Sequence, residues 1–90
     1  MASIIEAGRI TPVEVVYLGS RFNIWRLERQ IRTYAVFDLS RGSLNIDFTG
    51  EDADELERDL EVLRAQGMSS EALEAKLASK IDPFLASIQQ

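Results

Sequence analysis

The sequence predicts an α+β domain: a small antiparallel sheet of about 3–4 strands, then a C-terminal antiparallel helical hairpin. Three observations predict it. Up to Thr49 the apolar residues come in short runs rich in β-branched and aromatic side chains, separated by Gly19-Ser20 and Ser40-Arg41-Gly42. After Thr49 the apolar period becomes helical. Gly67 then divides the helical part in two. The 90 residues are the size of a single domain, 1–90,. Residues 1–8 show no period and read as a loose arm, 9–49 are mainly β, and 50–90 make the helical hairpin.

The first strand is expected at Val13-Glu14-Val15-Val16-Tyr17-Leu18, between Pro12 and Gly19-Ser20,. Residues 21–32 carry two readings. As a helix, Ile24, Leu27, Ile31 and Tyr34 share one face, with Ser20 as cap,. As a strand, Phe22 to Leu27 has good β-propensity, and a bend near Glu28-Arg29-Gln30 turns the chain,. Strand is favoured because short strands flank the stretch on both sides.

Thr33 to Leu39 and Ser43 to Phe48 read as two strands of a hairpin joined by a bulged turn at Ser40-Arg41-Gly42,. In the second, Leu44, Ile46 and Phe48 lie on one face, and Asn45 and Asp47 on the other. One packed face and one solvated face are the mark of an antiparallel sheet.

In the first helix Ala53, Leu56, Leu60 and Leu63 form the apolar stripe,. Asp52 and Glu55 are spaced as a capping box, and Thr49 is the alternative cap,. The acids of the first turn sit where the helix dipole favours them. Gly67 is expected as the left-handed residue that ends the helix, with Met68 packing back on Leu63,. Ser69 starts the second helix, stapled by Met68 and Leu73, with Leu73, Leu77 and Ile81 as its stripe,. Asp82-Pro83 reads as a new cap followed by a proline at the first helical position. Phe84, Leu85 and Ile88 would then belong to a redirected terminal turn.

Composition sets limits on function. Apolar residues make up 46% and charged residues 28%, as in a folded globular chain,. No apolar run approaches the roughly 18–20 residues of a membrane span. The start, Met1 to Arg9, has no basic lead and no long apolar stretch, so no secretory signal is expected,. The absence of cysteine rules out disulfides, thiolate chemistry and cysteine–zinc sites, and points to a cytoplasmic protein held by packing,.

Catalysis is not expected. Histidine, the commonest general base, is absent,. The serines fall mostly at caps and turns, and Ser79 is adjacent to Lys80 on a helix, so the two do not face each other,. The acids from Glu51 to Glu61 do not have the spacing of a calcium loop, and no metal or cofactor is expected,. They read as a solvated helix face, with Asp54, Glu57 and Glu61 as a weaker candidate for docking a basic partner. The five glycines are isolated at element boundaries, so no phosphate loop exists,.

Charge is divided unevenly along the chain. Residues 1–50 carry six arginines against five acids, a net +1, while 51–90 carry ten acids against four bases, a net −6. Arg21, Arg26, Arg29 and Arg32 lie within twelve residues, with Phe22, Trp25 and Tyr34 among them. Arginine and aromatics are enriched at protein–protein hot spots. If 22–27 is a strand, Phe22, Ile24 and Arg26 share one face, and Asn23, Trp25, Leu27 and Arg29 the other. A thin sheet with helices on one side then leaves apolar surface uncovered, and such surface marks interaction sites.

The expectation is therefore a small non-enzymatic protein-interaction module, whether regulator, adaptor, inhibitor or accessory subunit. Its contact residues are expected to be Phe22, Trp25, Arg26, Arg29 and Arg32. The second reading is a structural subunit, a homo-oligomer in which arginine-bearing and acidic halves of successive copies meet head to tail. Single-stranded nucleic-acid binding through the same arginines comes third, because a sequence pI of about 4.6 opposes it,.

Overall fold

The computed structural model describes residues 13–28 and 30–88. The loose arm expected at 1–8 and the contact residue Arg29 lie outside the described residues. Four strands, β1 (Val13–Leu18), β2 (Phe22–Leu27), β3 (Thr33–Asp38) and β4 (Leu44–Thr49), form one antiparallel sheet in chain order. Two helices follow, α1 (Gly50–Arg64) and α2 (Ser70–Ile88). The ambiguous stretch is strand β2.

The sheet forms because each strand has its next neighbour within a short turn. β2 and β3 pair without interruption, from Phe22 opposite Asp38 to Leu27 opposite Thr33. β3 and β4 do the same, from Asp38 opposite Leu44 to Thr33 opposite Thr49. The β3–β4 connection is a 3-10 turn at Leu39–Arg41, followed by Gly42 and Ser43 with φ of +65° and +61°. Pairing of β1 with β2 slips between Val15 and Tyr17, so Val16 is the extra residue of a bulge,.

Alternation decides the faces. Tyr17, Phe22, Ile24, Tyr34, Val36, Ile46 and Phe48 all point to the helix side. They meet Ala53, Leu56 and Leu60 of α1 and Leu73, Leu77, Ile81 and Leu85 of α2 in one core. Each large side chain buried there contributes about 1.5–3 kcal/mol. α2 crosses the sheet: its Glu74 bonds the β1–β2 turn, and eight residues on Asp82 bonds Arg21 and Arg41. Ion pairs link the helices. Lys76 reaches Glu55 and Asp59, and Lys80, one turn on, reaches Asp52 and Glu55.

Three local expectations are corrected. Thr49, not Asp52, occupies the cap position of α1, and its side chain makes no capping hydrogen bond. Gly50 begins the helix with φ of +61°, so the chain turns directly from strand to helix and Asp52 falls inside the first turn. At the far end the left-handed residue is Gln66, with φ of +67°, one position before Gly67. The Gln66 N–H donates to the Leu63 carbonyl at 2.9 Å and the Gly67 N–H to the Val62 carbonyl at 2.8 Å, the bond pair of a Schellman ending,. At Gly67 a Cβ would make a tight contact, 3.1 Å from the Val62 side chain.

The third correction concerns Pro83, which lies inside a continuous α2. The carbonyl it leaves unbonded belongs to Ser79, one turn back. Ser79 and Pro83 are both exposed. Asp82 does not cap a new helix, because its carboxylate is held by two arginines. Ser69 does cap α2, its hydroxyl oxygen accepting from the Ala72 N–H at 3.1 Å.

Candidate protein-interaction face

Both helices cover the same side of the sheet, and the other side is open among the described residues. Strand register places the open side's residues in rows. Val15, Trp25, Ala35 and Asp47 form one row, and Asn23, Phe37 and Asn45 another. Trp25 and Phe37 are diagonal neighbours, their rings edge to face with centroids 6.1 Å apart. Both are half-buried, and Ala35 between them is 3% exposed. Leu27 adds a half-buried side chain, while Val15 is 44% and Leu18 69% exposed. The result is an apolar surface with a central aromatic pair, bordered by Asn23, Asn45, Asp47 and Thr49.

The four expected contact residues that are described, Phe22, Trp25, Arg26 and Arg32, do not form one surface. Phe22 is a correction: it has no exposed area and belongs to the core, with the Arg21 guanidinium 4.7 Å from its ring centroid. Trp25 lies on the opposite face. Arg26 points to the helix side at the rim, where it pairs with Glu14 at 2.8 Å and with Glu28. Arg32 is exposed beyond β2 and pairs with Asp54 and Glu57 of α1. Those two acids were expected as a docking face for a foreign cation, and an arginine of the same chain already engages them. Glu61 is exposed on the same helix.

Sequence reasoning missed two carboxylates that organise the helix side. Asp38 is fully buried at the end of β3. Arg21 grips it with two bonds of 3.0 and 2.9 Å, Arg41 adds one of 2.7 Å, and Ser40 donates its N–H and hydroxyl. The Arg21 bonds, with those from Ser40 and Arg41, hold this carboxyl far below the usual carboxylate range despite burial,. Asp82 bridges the same two arginines at 2.8 and 3.1 Å. The Asp38-Leu39-Ser40 order is a turn signal in which Asp bonds the backbone two residues on, so this residue was open to discovery. Its pairing with Arg21 was not.

Glu74 is the second carboxylate. It accepts from the Tyr17 hydroxyl at 2.9 Å, the Ser20 hydroxyl at 3.0 Å and the Arg21 N–H at 3.1 Å, with the Phe22 N–H at 3.4 Å. Burial raises its carboxyl, but these donors outweigh that effect and leave it below the ordinary value. Burial, reinforced by Glu74, pushes the Tyr17 phenol up to about 12. Gly19 makes the approach feasible, since a Cβ there would lie 1.9 Å from a Glu74 oxygen.

Other polar groups of the helices pair within the chain. Glu55 lies between Lys76 and Lys80, whose bonds lower its carboxyl to about 2. Ser79 donates its hydroxyl to the Lys76 carbonyl at 2.8 Å. Among the described residues no cluster of three or more acids is placed to hold a metal ion, and no helix is long and apolar enough to cross a membrane. Comparison of the chain with protein-family models, curated proteins and solved structures finds no match, so the case for its role rests on the geometry above.

Proposed function

We propose that this chain is a small non-catalytic module that binds another protein through the open face of its sheet, centred on Trp25 and Phe37. The observation that carries the reading is the second apolar face. Strands β1, β2 and β3 place apolar side chains on both sides, and the two helices cover one. Aromatic anchors in an apolar patch with a polar border are the usual build of a contact surface. The occupant that suits it is a protein with a flat apolar surface of its own. The internal engagement of Ser79, Lys76 and Lys80 supports a non-catalytic reading, and the cysteine-free composition supports a cytoplasmic one.

The arginine arrangement favours this reading over the two others. Arg21, Arg26, Arg32 and Arg41 all pair with acids of the same chain. Three of them, Arg21, Arg32 and Arg41, already meet acids of the second half, the contacts that a head-to-tail assembly would need between copies. The pairing also leaves these four cations away from Trp25, where a nucleic-acid strand would need phosphate partners beside the stacking ring.

The test is affinity purification from the native host with mass spectrometry, using the intact chain and the variants Trp25→Ala and Phe37→Ala. Both variants should keep the circular dichroism of the parent and lose its captured protein. Capture undiminished in both folded variants removes the proposed face. Capture of nucleic acid in place of protein removes the functional reading.

A further inference from the structure

The two edges of the sheet are built differently. β1 carries the bulge at Val16, a device that discourages a further strand from adding on,. β4 has neither bulge, proline nor lysine, and its register is regular from Leu44 to Thr49. No described strand pairs with its outer side, where alternate residues present backbone N–H and C=O groups,. Beside this edge runs a groove of about 240 Å³, lined by Ile46 and Phe48 of β4 and by Ile81 and Phe84 of α2. Phe84 is 52% exposed and Leu44 39%. Among the described residues, the groove and the unpaired edge together are an incomplete piece of sheet with its apolar cover already in place.

We propose that β4 is the seam of a homodimer, in which a second copy of this chain pairs antiparallel along the same edge and makes one eight-stranded sheet. A two-fold axis perpendicular to the sheet keeps the helices of both copies on one side. Directly opposed residues must then share a face, which permits few registers. Centring on Ile46 opposes Ile46 with itself, Leu44 with Phe48 and Asn45 with Asp47. The apolar residues of β4 then meet apolar residues on the helix side. Centring on Asp47 carries Leu44 past the end of the partner strand. Centring on Asn45 carries Phe48 past the end of the partner strand. The Ile46-centred register is self-complementary, and it brings the two exposed Phe84 rings toward each other over the seam.

Each copy carries a net charge of −5. An edge-paired dimer therefore works against mutual repulsion and tightens as salt screens it. A head-to-tail assembly of unlike halves would weaken with salt. The proposal does not depend on the open-face reading, since Trp25 and the β4 edge are separate surfaces.

The experiment is sedimentation equilibrium of the full chain over a concentration series at low and high salt, about 50 and 500 mM. The expected mass at high concentration is twice the 10.1 kDa of one chain, reached at lower concentration in high salt. Phe84→Asp and Leu44→Lys, both at exposed positions and each checked for folding, should return the mass to one chain. Because the chain has no cysteine, Ile46→Cys gives a clean second readout. It should form a covalent dimer on mild oxidation, while Trp25→Cys should not. A mass of one chain at every concentration overturns the proposal. So does a dimer that both variants retain, one that dissociates with salt, or one that Trp25→Cys links in place of Ile46→Cys.

Discussion

Asp38 has no exposed side-chain surface and remains charged, because two arginines and a serine satisfy both of its oxygens. Removing one member of a buried pair leaves the other uncompensated, at a cost of about 3–5 kcal/mol. Arg21 keeps a quarter of its side chain exposed, so the lower end of that range applies. Asp38→Ala should thus lose about 3 kcal/mol in urea unfolding followed by Trp25 fluorescence. Asp38→Asn should lose less, since it keeps one acceptor oxygen. A loss below about 1 kcal/mol for the alanine variant, the value of an ordinary surface pair, contradicts the role given to Asp38. At this scale sequence reasoning was weakest. It grouped Phe22, Trp25, Arg26, Arg29 and Arg32 as one contact set from their closeness in the chain. Neighbours on a strand point to opposite faces, so closeness in sequence separated Phe22 from Trp25.

At the scale of elements the outcome was better. Strands β1 and β4 and both helical stripes lie where pattern placed them, because alternation and 3.6-residue periodicity are local properties of the chain. The undecided stretch became strand β2, since a strand there completes pairing with β1 and β3 along its whole length. Pro83 shows the opposite case. Local rules end a helix near a proline, yet α2 continues through it, held by Ile81 and Leu85 in the core on either side. The continuity is kept against an intrinsic cost of up to about 3 kcal/mol. Pro83→Ala restores the N–H and should stabilise the protein by about 1–3 kcal/mol, read as a higher midpoint in thermal unfolding. A lower midpoint would show that proline supplies something to α2 that the backbone account omits.

The whole molecule is held by one core and by carboxylates that bind its pieces together, so its stability depends on pH. Asp38 lies far below the usual carboxylate range because of Arg21, Ser40 and Arg41, and the lysines lower Glu55 to about 2. Glu74 is also lowered, by donors that outweigh its burial. A depressed folded value gives stability that is fully present above the unfolded value, near 4. That stability is lost as pH falls toward the folded one. The thermal midpoint should therefore stay level from about pH 7 to 5 and drop steeply between about pH 4.5 and 2. The sign reverses for Tyr17, raised to about 12 by burial and Glu74. Its contribution is present below about pH 10 and lost above it, so Tyr17→Phe should flatten the alkaline limb. An acid limb that begins above about pH 6 would mean that other groups control the transition.

By itself the sequence determined the α+β class, the order of the elements, the alternating faces of the strands and the surplus of apolar residues around Trp25. All of these follow from spacing within a few residues, where backbone geometry alone relates one side chain to the next. Only the tertiary structure decided that Phe22 enters the core while Trp25 joins Phe37 outside it. It alone brought Asp38 and Asp82 to Arg21, and Glu74 to the β1–β2 turn, and placed β4 at an edge of the sheet. Those contacts join groups up to 61 residues apart, and their partners depend on how the helices cross the sheet. No local pattern records that crossing.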